Sequence, residues 1–128
     1  MAITTTHEVT MEFLDRFAEA FNRHDVTALM SFMTEDCVFE ASGGPDVCGK
    51  RYEGQREVAM AFAEVFETFP DSRWAGARHF FVGDRGVSEW TFTGTKSDGT
   101  RVEVTGCDVF TFRDGRISIK NSYRKQRA

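Results

Sequence analysis

Asp108 has the setting that most strongly suggests chemistry. Strand-like alternation places Val102, Val104, Gly106, Asp108, Phe110 and Phe112 on one face, and Glu103, Thr105, Cys107, Val109 and Thr111 on the other. Asp108 is the only ionisable group on the apolar face. Removing water from a carboxyl group favours its neutral form. That suits two tasks: a general base poised near neutrality, or a protonated donor to a developing oxyanion. The competing reading is an acid that accepts hydrogen bonds from a loop or turn and does no chemistry. The chemical reading is preferred, because an unpaired acid between phenylalanines costs stability unless something uses or satisfies it. Gly106, two residues earlier on the same face, either leaves room for a ligand or marks a bulge.

The remaining polar candidates carry weaker signals. His79 alternates with Phe81 on a strand and could serve as an acid or base, although a hydrogen-bonded core or rim histidine is the preferred reading. His7 and His24, at a helix start and a turn, read as surface residues. No H-x-H or H-x-x-x-H pair occurs, so a metal site is not expected. Glu40 alternates with Phe39 and Ala41 and reads as a carboxylate on the sheet surface. Trp90 and Phe92 share a face with Ser88, and core packing explains them better than stacking on a ligand. The absence of G-x-S-x-G, Walker A and G-x-G-x-x-G excludes the common nucleophile-elbow and nucleotide-loop readings, and no cofactor is expected.

The elements that must position these groups follow from the apolar periodicity. Val9, Phe13, Phe17 and Phe21 recur at four-residue steps and predict a helix over 5–23, with Thr5 and Glu8 as a capping box. Asp25 is placed to cap a short second helix running through Met33. A strand is expected over 37–41, then a loop containing Gly43, Gly44 and Pro45, then a third helix over 55–69 that Pro70 ends. Beyond it the period changes to that of strands. The turn signals Gly83-Asp84-Arg85-Gly86, Ser97-Asp98-Gly99 and Arg113-Asp114-Gly115 separate strands near 74–82, 87–95, 101–112 and 116–124. The predicted architecture is a single α+β domain, with helices on one face of a curved antiparallel sheet.

Composition limits the function classes. The chain of 128 residues is 41% hydrophobic and 28% charged, with 13 Phe against 2 Trp and 2 Tyr, enough apolar mass for one real core. The net charge of -4 argues against a generic nucleic-acid binder. Positive charge gathers at the end, in Lys120, Arg124, Lys125 and Arg127. That end could meet phosphate or an acidic partner, but without interleaved aromatics most of it reads as a solvated terminus. Cys37, Cys48 and Cys107 are odd in number and far apart, which predicts reduced thiols in a cytoplasmic protein rather than a disulfide framework. The first ten residues lack the charge and apolar stretch of a signal peptide, and the longest apolar run, Val58 to Ala63, is too short to span a membrane.

The order of elements, together with F-N-R-H-D (Phe21 to Asp25), M-T-E-D-C-V-F-E (Met33 to Glu40), Y-E-G-Q-R-E-V (Tyr52 to Val58), W-T-F-T-G-T (Trp90 to Thr95) and G-C-D-V-F-T-F-R-D-G-R-I (Gly106 to Ile117), resembles the nuclear-transport-factor-2-like superfamily. Its SnoaL-like and ketosteroid-isomerase-like branch is the best match. The resemblance implies a cone: a mixed, curved sheet wrapped around three helices, an apolar pocket between them, and a homodimer formed through the outer face of the sheet. In ketosteroid isomerases an Asp at the position of Asp108 donates to the substrate oxyanion. Their oxyanion-binding Tyr corresponds to Phe17 here, and their proton-shuttling Asp to Ala41, so steroid isomerisation itself is not implied. The Asp and His of scytalone-dehydratase-like members correspond to Asp25 and, less well, His79, while the acids of limonene epoxide hydrolases have no counterpart at Gly106.

The same register turns Ser118, Lys120, Ser122 and Arg124 toward the pocket, and Ile117, Ile119, Asn121 and Tyr123 outward. Lys120 would then face Asp108, as an ion pair or as a receptor for an anionic or carbonyl substrate. The expected function is a cofactor-independent isomerase, cyclase or dehydratase acting on a small hydrophobic, polyketide-like carbonyl compound. In it Asp108, His79, Asp25 and Lys120 are the candidate catalytic groups, and Phe17, Trp90, Phe92, Phe110 and Arg124 line the pocket. The alternative is a module of the same fold that binds a small ligand, or a partner, without turnover.

Overall fold

The computed structural model describes residues 8–128, and within them three helices cover one face of a six-stranded sheet. Helix α1 (Met11–Asn22) starts at Thr10, whose hydroxyl accepts from the Phe13 amide at 3.0 Å. The helix therefore begins later than the residue 5 expected for it: residues 8–10 are not helical and Thr10, not the pair of Thr5 and Glu8, supplies the cap, while Thr5 and His7 themselves lie outside the described residues. The helix ends in a Schellman motif: the amides of His24 and Asp25 return to the carbonyls of Phe21 and Ala20, with His24 in the left-handed conformation at φ 57°. Asp25 then caps α2 (Val26–Ser31), accepting from the Ala28 amide at 3.0 Å.

Strand β1 (Met33–Glu40) leads through a loop to β2 (Arg51–Glu53), a three-residue strand that no sequence signal announced. Helix α3 (Gly54–Thr68) follows, then β3 (Arg73–Val82), β4 (Arg85–Thr95), β5 (Arg101–Arg113) and β6 (Arg116–Arg124). The sheet runs β2-β1-β6-β5-β4-β3, antiparallel throughout except where β1 lies parallel to β6. The fold is therefore α+β with a mixed sheet, as predicted. At the β5–β6 turn Asp114 (φ 53°) and Gly115 (φ 73°) are both left-handed, which a two-residue hairpin turn of the I′ type requires. Among the described residues no helix is long and apolar enough to cross a membrane.

The core lies between helices and sheet and is built largely of phenylalanine. Phe17, Phe21, Phe62, Phe66, Phe110 and Phe112 are all buried, with Phe21 edge-on to Phe17, Phe62 and Phe66. Ile117, expected on the outer face, is fully buried in this core. The reason is a bulge. Thr111 pairs with Ile119 but Phe112 with Ile117, so Ser118 is an extra residue in β6 and the side chains before it change face. Ser118 satisfies its hydroxyl on the Thr111 carbonyl at 3.1 Å.

Candidate active site

Asp108 is 6% exposed and Lys120 4%, and the two meet across neighbouring strands with Nζ 2.9 Å from Oδ1. Ser122, directly opposite Asp108 in register, donates to the same oxygen at 2.5 Å and accepts from Lys120 Nζ at 2.8 Å. The other carboxylate oxygen receives Trp90 Nε1 at 3.0 Å. Asp108 is thus no unpaired acid: three side-chain donors converge on it, none of them from a loop or turn. Gly106 explains how Trp90 reaches. A Cβ there would lie 2.6 Å from the indole, so the bare backbone of β5 lets the ring lie across it and point Nε1 at Asp108. The space on the inner side of Gly106 is filled by the protein's own tryptophan, and the register with β4 runs through it without a break, so it marks no bulge.

Lys120 Nζ lies 4.8 Å from the ring centres of both Phe21 and Phe39, and 5.6 Å from that of Phe62. Three aromatic faces and one carboxylate therefore replace the water an ammonium group would otherwise hold. Burial drives its pKa below the ordinary lysine value, with Asp108 pulling the other way. Arg124, two residues past Ser122 on the same face, stacks on Phe92 at 4.5 Å and donates from Nε to Ser42 Oγ at 3.1 Å. Burial lowers the pKa of its guanidinium too, against the attraction of Asp108. The basic end is therefore not one solvated run: Lys120 and Arg124 turn inward, while Lys125 and Arg127 are exposed.

These groups border a cavity of ≈ 210 Å³ between α3, β1 and the inner face of the sheet. Its wall includes Lys120, Ser122, Arg124 and Trp90 together with Phe21, Phe39, Tyr52, Phe62 and Trp74. Asp108 does not line it but stands one hydrogen bond behind, through Lys120 and Ser122. On the other side of Lys120 is a void of only ≈ 20 Å³, bordered by Asp108, Ser88, Phe17 and Phe110. Phe17 and Phe110 are thus packing residues rather than walls of the larger cavity. Phe92, fully buried, supports Arg124 from beneath.

Two expected participants are placed elsewhere. Asp25 is occupied as the cap of α2 and lines neither space. His79 bonds Ser88 Oγ through Nδ1 at 2.7 Å and sets Nε2 3.0 Å from Asp15, on β3 at the far edge of the sheet. His24 is no surface residue: its ring stacks on Phe66 at 4.3 Å and Nε2 bonds the Ser72 carbonyl at 2.9 Å. Glu40 pairs with Arg51 at 3.3 Å near the sheet edge. The ring of Phe21, Phe39 and Phe62 around Lys120 was not anticipated. It draws on α1, β1 and α3, and only an apolar periodicity common to all core residues hinted at it.

The chain matches the family model described as SnoaL-like domain over residues 14–119. A search of curated protein sequences finds no match. Solved structures of similar fold include a candidate polyketide cyclase of Xanthomonas campestris pv. campestris, with 22% identity, 89% of this chain and 88% of that chain covered and a TM-score of 0.78. A candidate isomerase of Bacillus subtilis follows at 20% identity, coverage of 89% and 84%, and TM-score 0.74. An NTF2-like protein of unknown function from Mesorhizobium loti shares 30% identity over 90% of this chain and 89% of that one, with TM-score 0.72. The family match and the mixed sheet with its three helices agree: the chain belongs to the SnoaL-like domain family of the nuclear-transport-factor-2-like superfamily.

Proposed function

We propose that the protein is a cofactor-independent enzyme that isomerises, cyclises or dehydrates a small hydrophobic carbonyl compound of polyketide type in the aromatic cavity. The observation that carries this reading is the ammonium of Lys120, set in the wall of a ≈ 210 Å³ cavity otherwise rich in aromatic rings and held from behind by Asp108 and Ser122. All three reactions develop negative charge on a carbonyl oxygen. A fixed ammonium in a site of low dielectric stabilises that charge strongly. Lys120 meets the substrate: with its proton lent to Asp108 the free amine takes the proton beside the carbonyl, and the ammonium so formed faces the enolate oxygen and gives that proton back when the enolate collapses. Similar folds described as candidate polyketide cyclases and isomerases support the class of reaction. The free thiols of Cys37, Cys48 and Cys107 suit a cytoplasmic location.

The test needs no knowledge of the natural substrate. With 2-tetralone as a probe in D₂O, NMR is expected to show protein-accelerated exchange of the protons beside the carbonyl. Exchange should vanish in Lys120→Met and fall about 10²-fold or more in Asp108→Asn. Exchange at the wild-type rate in both variants would remove both roles. The alternative, a cavity that binds without turnover, is favoured by the full occupancy of both Asp108 oxygens. Binding of 2-tetralone with no accelerated exchange would establish it.

A further inference from the structure

A second, larger cavity of ≈ 510 Å³ adjoins the aromatic one, and Ser42, Phe69 and Arg124 belong to the walls of both. The two differ in character. The first is a chamber of rings around one ammonium group, whereas the second carries Lys96, Arg101, Arg124, Lys125 and Arg127 against a single carboxylate, Glu103. Arg101 is already paired with Asp71 at 3.3 Å. Arg124, at the junction, has no carboxylate within ion-pairing distance among the described residues. Stacking on Phe92 and the bond from Nε to Ser42 hold its guanidinium in place. Two terminal nitrogens remain for an incoming oxyanion, in the planar fork that carboxylates and phosphates match.

Lys120 and Arg124 share the inner face of β6, and Arg124 stands where the aromatic cavity meets the basic one. The two cations are thus met in order by a ligand that runs from one cavity into the other. We propose that the substrate is an elongated amphipathic anion: its apolar carbonyl end fills the aromatic cavity against Lys120, and a carboxylate or phosphate ester at its other end rests on Arg124 in the basic cavity. Lys125 and Arg127 at the rim add long-range attraction. The inference rests on the aromatic cavity being the substrate site, and it adds what a purely hydrophobic substrate would not need.

The test compares 6-phenylhexanoate, 6-phenylhexyl phosphate and 6-phenylhexan-1-ol, followed by the fluorescence of Trp74 and Trp90 in the cavity wall. At low salt the better of the two anions is expected to bind the wild-type protein at least about tenfold more tightly than the alcohol. Whichever anion binds more tightly identifies the head group. Arg124→Gln should erase the preference, so that the anions bind no more tightly than the alcohol does to the same variant. Lys125→Gln with Arg127→Gln, a change confined to exposed side chains that spares the fold, should weaken only the anions, by about threefold, and flatten their salt dependence. Equal binding of anions and alcohol, or a preference that survives in Arg124→Gln and in the rim variant, would overturn the proposal. Alcohol binding without anion binding overturns it yet leaves the aromatic cavity as a site; binding of none of the three overturns both.

Discussion

Lys120 sets the energetics of the site at the scale of one residue. Its ammonium is stable in the core only because Asp108, Ser122 and three ring faces surround it. Lys120→Met leaves the Asp108 carboxylate buried without its counter-charge and is expected to cost about 3–5 kcal/mol, read from the urea midpoint. Adding Asp108→Asn should recover a substantial part, because the stranded charge is then gone. The pH dependence carries a second signature. The folded chain holds the Lys120 proton less tightly than the unfolded chain does, so it binds fewer protons in the alkaline window below the ordinary lysine value. Stability from this group therefore rises as pH climbs through that window. Wild type should show the rise on the acid side of the ordinary lysine value and Lys120→Met should lack it. Asp108 stood out in the sequence as an acid on an apolar face. Trp90 as its donor did not, because that bond depends on an indole crossing Gly106 on the next strand.

At the scale of elements, spacing and punctuation were informative where contacts are local. The Asp25 cap, the three hairpins and the end of α3 before Pro70 follow from residues within a few positions of one another, whereas the sequence pattern places the start of α1 too early, at Thr5 instead of Thr10. β2 and the bulge at Ser118 do not, since each is defined by a partner strand: β2 by β1, and Ser118 by the shift between Thr111 and Phe112. Strict alternation consequently put Ile117 outside, where the extra residue puts it in the core. Gly106 tests how closely β4 and β5 cooperate. Gly106→Ala places a methyl group against the Tyr123 carbonyl on β6 and the Trp90 ring on β4. The expected loss is about 1–3 kcal/mol by urea denaturation, with a shifted tryptophan emission as the indole leaves Asp108. Unchanged emission and stability would show that the ring has room to spare.

For the whole molecule, the buried phenylalanines divide the interior into a packed core and a chamber, and the basic terminal segment borders the second cavity beside it. The outer face of the sheet remains partly apolar. Phe80 is 57% exposed and Tyr123 54%, and Phe80, Val87 and Val109 stand in one row across β3, β4 and β5. A second copy of the chain covering this face is the proposed assembly. Val109→Asp should convert a dimer to a monomer in light scattering without changing the cavity's affinity for 2-tetralone. A wild-type protein that is monomeric at tens of micromolar would refute the assembly.

Residue types and their periods determined the class of fold, the Asp25 cap of α2, the hairpin turns and the outlying position of Asp108, because each depends on neighbours along the chain. Only the tertiary structure decided that Asp108 stands behind Lys120, that Asp25 and His79 are engaged elsewhere, and that three phenylalanines from three elements enclose one ammonium. Such arrangements depend on register, on a single inserted residue and on which rings meet across the core. These quantities arise when distant segments pack, and no local pattern encodes them.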